Sequence, residues 1–324
     1  SFSKNKSNFQ SSFGENVAAE GLYYVASFNT NESAYGDFGD YKELGYLALA
    51  NYSYKDKYVL DLSFRNDGSS RFASGYRFGN FYSVGAAWNI SNENFLADSD
   101  IVDDLKLRAS FGQTGNNGIG NNQYQSLFGY GGAYDNNGAV SPSTFGNLII
   151  SWETAELLDV GVDFSLFDGR LSGGVTYYEK TTEDLLQSVP LSRTTGHSSQ
   201  TMNIGSILNK GVEIEIDAQV LRTKDFSFEV YGNFSENRDE VLKLAQDAAG
   251  NDINLDSFYY TTRVGLPQSQ WYIRSWGGVD PADGRPYYHV GGHSQDGEVS
   301  EEVTYSYSAA QQTIQGLRTP PIQG

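Results

Sequence analysis

Residues 58–66 read Tyr-Val-Leu-Asp-Leu-Ser-Phe-Arg-Asn, with apolar and polar side chains in alternation. Successive side chains of a β-strand point to opposite faces, so the stretch predicts a strand with one apolar and one charged face. The apolar face would carry Tyr58, Leu60, Leu62 and Phe64, and the polar face Asp61, Ser63 and Arg65. One strand with two such different faces suits a wall between lipid and water.

The same alternation recurs along most of the chain, and we find no pattern typical of a long helix. It predicts about ten strands. The segments are 21–29, 43–54, 58–66, 78–90, 105–113, 155–167, 170–180, 202–221, 226–237 and a last strand within 258–278.

Short and long connections alternate between these strands. The turns near 55, 168 and 223 are short, and the connection at 91–104 is moderate. The long connections lie near 67–77, 114–154, 181–201 and 238–257. Outer-membrane barrels combine short periplasmic turns with long extracellular loops. The sequence therefore predicts an all-β, antiparallel transmembrane β-barrel, with residues 1–324 forming part of the barrel domain and the long loops extracellular.

Composition is compatible with this fold. Hydrophobic residues make up 39% of the 324 residues and the mean hydropathy is -0.47. A barrel tolerates these values because only every second strand residue meets lipid. A net charge of -18 disfavours nucleic-acid binding, and the absence of Cys excludes thiolate chemistry within this chain. Ser1 opens no signal-peptide pattern, so we expect a mature, trimmed or partial chain.

A soluble antiparallel sandwich is the alternative, since its strands also alternate polar and apolar residues. Two features weigh against it. Aromatic residues gather near strand ends, as in the interface girdles of membrane barrels, and the 114–154 connection is longer than compact domains usually tolerate. These aromatic residues are Tyr52, Tyr54, Tyr58, Trp88, Tyr177 and Tyr178.

Several motifs make the interpretation more specific. Residues 51–58 read Asn-Tyr-Ser-Tyr-Lys-Asp-Lys-Tyr, and residues 64–72 read Phe-Arg-Asn-Asp-Gly-Ser-Ser-Arg-Phe. Both resemble stretches of the SusC/RagA-type TonB-dependent outer-membrane transporters of the Bacteroidetes. Further matches follow in the order of that family, at 81–88, 105–116, 152–153, 161–164, 203–205, 209–215 and 277–286. The resemblance covers about residues 40–290, and several ordered motifs make chance similarity a poor explanation.

This resemblance implies a 22-stranded barrel closed by an N-terminal plug domain. It also implies import of glycan or peptide fragments, a SusD-like surface lipoprotein as an extracellular lid, and energy from TonB acting near the plug. The chain departs from the family pattern because we find no plug, no TonB box and no closing strands. We therefore expect a fragment of the barrel, embedded in outer-membrane lipid, in which the plug that contacts TonB is missing.

Charged residues on the polar faces are the first candidate site. A mid-membrane Arg or Lys on a lipid face costs roughly 2–4 kcal/mol, so in a barrel these residues should line the lumen. They are Asp61, Arg65, Lys106, Arg108, Asp159, Asp163, Glu213, Glu215 and Asp217. They could contact substrate, or they could only hydrate the wall or pair with the plug.

The aromatic residues of the 114–154 loop are the second candidate site. Tyr124, Phe128, Tyr130 and Tyr134 are spaced among Gly and Asn residues. Flat rings beside amide groups suit sugar or peptide fragments, or a partner protein. The rings could equally pack the loop against itself.

Signals for an enzyme, a metal or a cofactor are weak, and we expect none of the three. Of the three His residues, His289 and His293 stand four apart but beside Gly291 and Gly292, which disfavour the helix that such a zinc pair needs. The Gly-rich 115–120 run lacks a following helix and a P-loop Lys. Calcium ligation in the acidic 98–104 segment is an open alternative, without the Gly spacing of an EF-hand loop.

The sequence thus predicts a section of an importer in the outer membrane, where the barrel crosses the membrane several times. The alternative is a structural or docking surface protein whose loops bind a partner. A barrel enzyme such as a lipase would need a catalytic constellation that we do not find.

Overall fold

The computed structural model describes residues 1–17, 20, 28–135, 137–247, 249–290, 302–307 and 312–314. In these residues the chain is almost entirely antiparallel β-structure, which confirms the predicted fold class. The helical pieces there are two single 3-10 turns, Ile90–Asn92 and Arg193–Thr195. No helix in the described ranges is long and apolar enough to cross a membrane.

Nine strands form the main sheet, in the order β1-β2-β3-β4-β5-β8-β9-β12-β13. Sequence neighbours pair with each other, apart from two hairpins inserted between wall strands. The bounds are β1 Phe2–Val17, β2 Phe28–Tyr54, β3 Tyr58–Ser69, β4 Phe78–Asn89, β5 Val102–Asn116, β8 Glu153–Leu166, β9 Leu171–Glu183, β12 Ser206–Arg222 and β13 Ser227–Lys243.

The remaining strands are short and lie in the long connections or after β13. The inserted hairpins are β6 Leu127–Tyr134 with β7 Asn137–Thr144, and β10 Leu186–Pro190 with β11 Ser199–Asn203. After β13 follow β14 Leu255–Asp256, β15 Tyr260–Thr262, β16 Gln270–Arg274, β17 Trp276–Val279, β18 Pro286–His289, β19 Val303–Thr304 and β20 Gln312–Ile314.

Tight turns close one end of the sheet. Lys55 and Asp56 adopt φ of 53° and 55° between β2 and β3, and Phe167, Asp168 and Gly169 adopt φ of 59°, 56° and 70° between β8 and β9. Asp and Gly tolerate this left-handed region, which is common in tight hairpin turns. Because the strands are antiparallel, the long connections 70–77, 117–152 and 184–205 all leave the opposite end, called here the long-loop end.

The strands differ from the predicted ones in several places. β2 begins at Phe28 and not near 43, and the β6–β7 and β10–β11 hairpins lie within segments predicted as long connections. β1 was not predicted because Phe2, Phe9 and Phe13 do not follow a period of two. The predicted 202–221 strand is interrupted at Ile204 and Gly205, where Gly205 has a φ of 100°. The single strand expected within 258–278 is divided among β15, β16 and β17. The predicted 21–29 strand lies mostly outside the described residues.

Buried apolar side chains concentrate at the long-loop end. One cluster joins Phe72, Ile119 and Ile150, and a second joins Ile207, Val241 and Leu244. Along the wall, by contrast, Tyr58, Leu60, Leu62 and Phe64 on the apolar face of β3 keep 39–48% of their surface exposed. Burial therefore holds the loops together, whereas the wall depends on strand pairing and leaves its apolar face uncovered.

Candidate functional site

The sheet register places all nine candidate lumen residues on one face. Asp61 is level with Gly85, Ser110 and Asp159 across four strands. The next row runs Arg108, Gly161, Thr176 and Glu213, and the row after it runs Lys106, Asp163, Gly174 and Glu215. Residues paired across a sheet share a face, and so do residues two apart in one strand, which adds Arg65 and Asp217. That this polar face lines a lumen stays a prediction.

The opposite face is apolar in the same continuous way. One row runs Tyr52, Leu60, Ala86, Ala109, Val160, Tyr177 and Val212 through seven strands. Because of this register, the polar residues of successive strands form one continuous surface and the apolar residues form another on the opposite side of the sheet. The separation has exceptions, since Leu47 and Leu49 of β2 lie on the polar face.

Arg108 forms the densest charge cluster of the polar face. Its Nη1 donates to Asp159 Oδ1 at 2.7 Å, its Nη2 donates to Thr176 Oγ1 at 2.6 Å, and its Nε lies 3.3 Å from Asp163 Oδ2. The guanidinium lies over Gly161, where a Cβ would be 2.8 Å from its carbon. Gly161 therefore opens the space through which Arg108 reaches Thr176 two strands away.

The other eight candidates differ in their contacts. Arg65 pairs with Asp67 at 3.0 Å within β3, and Asp61 accepts a hydrogen bond from Asn51 in β2. Among the described residues, no ion pair involves Lys106, Glu213, Glu215 or Asp217. The β12 side of the polar face thus presents unpaired carboxylates, while the carboxylates on the β5–β8 side pair with Arg108.

The motif at 64–72 locks two long loops together. Arg71 donates from Nε to Asn121 Oδ1 at 3.2 Å and from Nη1 to the Asn117 carbonyl at 3.0 Å. Its guanidinium also lies 3.9 Å from the ring centroid of Tyr41, in cation–π geometry. Phe72 beside it has no exposed surface. The motif therefore fixes the 70–77 loop onto the 117–152 loop.

Trp152 and Asn203 extend this lock. The Trp152 indole lies 5.4 Å from Phe72 and donates to the Arg77 carbonyl at 2.9 Å. Asn203 accepts from the Ser151 amide at 2.7 Å and donates to the Ser151 carbonyl at 2.9 Å, as a strand backbone would. Three long loops are thereby joined into one body at this end.

A cavity of about 390 Å³ lies beneath these loops, beside the middle of β2, the end of β3, the start of β4 and the end of β5. Its lining mixes charged, amide and aromatic groups. These include Glu43, Arg65, Asp67, Gln113, Asn117 and Trp152. The cavity volume is within the range of small-ligand sites. Arg65 is the one candidate lumen residue that reaches it.

The four candidate loop aromatics fall into three situations. Tyr124 is half-buried and packs on the Phe72 cluster, as the self-packing alternative describes. Phe128 is 62% exposed on the β6–β7 hairpin. The backbones of Tyr130 and Tyr134 lie in β6, and their side chains are outside what the structure describes. A role for these residues in substrate or partner contact stays a prediction.

Two residues that sequence reasoning missed are Leu148 and Ile149. They are 68% and 67% exposed in the long loop, although both are large and apolar. Phe145, near them in the chain, packs on His197 at 5.1 Å. The signal was present, since Leu-Ile-Ile at 148–150 is a short apolar run in an otherwise polar loop.

The short-turn end is organised by Glu93, which sequence reasoning also missed. Its carboxylate accepts from Lys57 Nζ at 2.8 Å, from Tyr58 Oη at 2.7 Å and from Trp88 Nε1 at 3.2 Å. Hydrogen bonding by Lys57, and then by Tyr58, lowers the pKa of Glu93 to about 2. No local pattern connects these residues, because Glu93 is 36 positions from Lys57.

A metal site is the remaining possible centre among the described residues. In the described ranges, no three His, Cys, Asp or Glu side chains are arranged to hold a metal ion. His289 ends β18, and His293 lies outside the described residues.

Comparisons with known proteins identify the family of this chain. Residues 2–320 match the family model for the TonB dependent receptor-like β-barrel. TonB-dependent receptor P39 of Formosa agariphila is 41% identical over 200 residues, which are 62% of this chain and 19% of the relative. TonB-dependent receptor SusC of Bacteroides thetaiotaomicron is 37% identical over 229 residues, which are 67% of this chain and 22% of SusC.

A solved structure of the RagAB peptide transporter superposes with a TM-score of 0.83 at 29% identity, over 97% of this chain and 34% of the RagAB chain. The chain thus spans about a fifth of the length of these two curated relatives and about a third of the RagAB chain. The nine-stranded sheet is accordingly a section of a larger barrel wall. The chain belongs to the TonB-dependent receptor β-barrel family, as part of a SusC-like barrel.

Proposed function

We propose that this chain forms part of an outer-membrane transporter that imports glycan or peptide fragments with energy supplied through TonB. The polar face would line the lumen and the apolar face would contact lipid. No step in this proposal makes or breaks a covalent bond in the substrate, and no cofactor is involved.

The uncovered apolar face is the observation that carries the proposal. Tyr52, Leu62 and Phe64 keep 61%, 43% and 47% of their surface exposed, within a surface that continues across the sheet. Soluble monomers rarely expose contiguous apolar patches of more than a few hundred Å². The polar face carries charges that would be costly in lipid, so water must lie on that side.

Substrate contact is best supported at the long-loop end of the polar face. The cavity near Arg65 offers charged, amide and aromatic groups together, which is the composition that binds sugar or peptide fragments. The RagAB structures are those of a peptide importer, which keeps peptides as a candidate substrate class alongside glycans.

Partners follow from the same family comparison. We propose that a SusD-like lipoprotein covers the long-loop end and that TonB acts through a plug domain elsewhere in the full-length receptor. The exposed Leu148 and Ile149 support a protein contact there, because neighbouring large apolar side chains that are exposed in a loop favour an interface.

Uptake by cells tests the proposal. Cells that carry the full-length receptor are given fluorescently labelled oligosaccharides and peptides, with and without a protonophore. We expect accumulation that requires the receptor and is lost when the proton gradient is lost. Equal accumulation in cells without the receptor would contradict import.

Docking to a surface partner is the second candidate function, favoured by the same exposed residues Leu148 and Ile149. The double variant Leu148→Ser/Ile149→Ser distinguishes a docking protein from an importer. A docking protein would lose partner capture and show no uptake in any variant. An importer would keep substrate binding in the isolated receptor.

A further inference from the structure

The apolar face contains a groove where two alanines meet. Ala86 of β4 and Ala109 of β5 are level in the register, and both are exposed. Larger side chains rise around them, and the resulting groove has a volume of about 350 Å³. The lining includes Tyr52, Leu60, Ala86, Trp88, Leu107 and Ala109.

Hydrogen bonds hold one wall of the groove in place. Tyr58 and Trp88 stack with ring centroids 6.3 Å apart and an interplanar angle of 17°. Tyr58 Oη and Trp88 Nε1 both donate to the Glu93 carboxylate, at 2.7 and 3.2 Å. The rings therefore cannot swing over the alanines without breaking these bonds. A preformed groove binds a ligand at a lower ordering cost.

A cation lies toward the short-turn end of the groove. Lys55 Nζ is 5.2 Å from the ring centroid of Tyr54, and Tyr54 pairs with Tyr58 on the apolar face. Lys57 is occupied by Glu93 at 2.8 Å, whereas no ion pair of Lys55 occurs among the described residues. Lys55 thus offers an available positive charge beside an apolar groove.

We propose that this groove binds one acyl chain of a glycerophospholipid, whose phosphate contacts Lys55. The inference rests on the proposed membrane placement of the apolar face. It goes beyond general lipid contact because it assigns one ordered lipid to one place. With short turns at the periplasmic side, the lipid belongs to the inner leaflet.

The dimensions agree with this occupant. Three residues separate Lys55 from the level of Tyr52, which corresponds to about 10 Å along a strand. The polar region of one leaflet is about 5–8 Å thick, so a phosphate at Lys55 places the start of the acyl chain near Ala86. Tyr58 and Trp88 then lie at interface depth, where aromatic rings are favoured.

Lipid retention in the full-length receptor tests the proposal. The receptor is reconstituted in nanodiscs of phosphatidylethanolamine and phosphatidylglycerol, transferred to detergent, and examined by native mass spectrometry during stepwise delipidation. We expect one phospholipid to be retained by the unaltered receptor. The Ala86→Leu/Ala109→Leu double variant fills the groove and should lower retention about tenfold, because affinity depends exponentially on the apolar area that the acyl chain buries.

Two matched controls sharpen the result. Ala50→Leu makes one such substitution on the same face outside the groove and should keep the lipid. Lys55→Gln should weaken retention, whereas Lys224→Gln, at the β12–β13 turn, should not. A phospholipid with a brominated acyl chain should also quench the fluorescence of Trp88. The Trp88→Phe variant identifies which part of the receptor's tryptophan fluorescence comes from Trp88.

Equal retention in the unaltered and groove-filled receptors would overturn the proposal, and so would equal loss with Ala50→Leu. Discovery that a second receptor copy fills the groove and excludes lipid would overturn it as well. A receptor that fails to insert into membranes would instead contradict the proposed function, and its insertion is measured separately by membrane extraction.

Discussion

Tyr178 of β9 reaches across Gly211 of β12, and its hydroxyl donates to Asn237 Oδ1 of β13 at 2.9 Å. Arg108 crosses Gly161 to Thr176 in the same way. In both cases a glycine in the middle strand lets a long polar side chain lie flat on the polar face. Such bridges tie three strands together without narrowing the space in front of the wall.

Gly211→Ala should disturb this arrangement. A Cβ at this position would clash with the Glu236 carbonyl oxygen and lie 2.7 Å from Tyr178 Oη, so the backbone must move. We expect a loss of about 1–3 kcal/mol, as for overpacked sites. It would be read as a lower unfolding temperature of the full-length receptor. Gly232→Ala in β13 is the control, since its Cβ would meet nothing within 4 Å; equal losses in the two variants would contradict this account.

Phe72→Ala should loosen the loops at the long-loop end. Phe72 has no exposed surface and packs with Ile119, Ile150 and Trp152, and large-to-small changes at such sites cost about 3–5 kcal/mol. Hydrogen exchange should become faster throughout 117–152. Phe128→Ala, at a 62% exposed ring, should leave exchange unchanged. Unaltered exchange in the Phe72 variant would show that the loops do not depend on this cluster.

The hydrogen bonds of the Glu93 carboxylate should be lost only at strongly acidic pH. The pKa of Glu93 is lowered from 4.5 to about 2, so the carboxylate's stabilising contribution is complete above pH 4.5. It is lost as the pH falls from about 4.5 through about 2. The indole ¹⁵N signal of Trp88 in the full-length receptor should therefore titrate with a midpoint near pH 2. Glu93→Gln should abolish this titration, and a midpoint near 4.5 would mean that the three hydrogen bonds are absent.

Local alternation was enough to predict most of the wall strands. The strands around Leu60, Val84, Val160 and Ile214 follow a period of two, and their pairing then places polar and apolar residues on separate faces. The Asp168-Gly169 turn was readable for the same reason, because its backbone requirement is local.

Contacts between distant residues could not be predicted. The Glu93 cluster joins positions 57, 58, 88 and 93, and the Arg71 lock joins 41, 71, 117 and 121. Their partners are fixed by strand register and loop packing, which one sequence does not display. The Arg108 cluster is intermediate. Alternation within single strands puts Arg108, Asp159 and Asp163 on polar faces, but their pairing depends on the register of β5 with β8, and the contact with Thr176 depends on the register of β8 with β9.

Spin labels along β3 test the central claim most directly. The chain contains no Cys, so single cysteines at 60, 61, 62, 63, 64 and 65 can be labelled in the full-length receptor without competing sites from these 324 residues. In lipid bilayers, we expect collisions with oxygen to be highest at 60, 62 and 64, and collisions with a water-soluble nickel complex to be highest at 61, 63 and 65. Labels at 60, 62 and 64 shielded from both reagents, with 61 and 65 free in bulk water, would contradict a wall between lipid and a wet lumen.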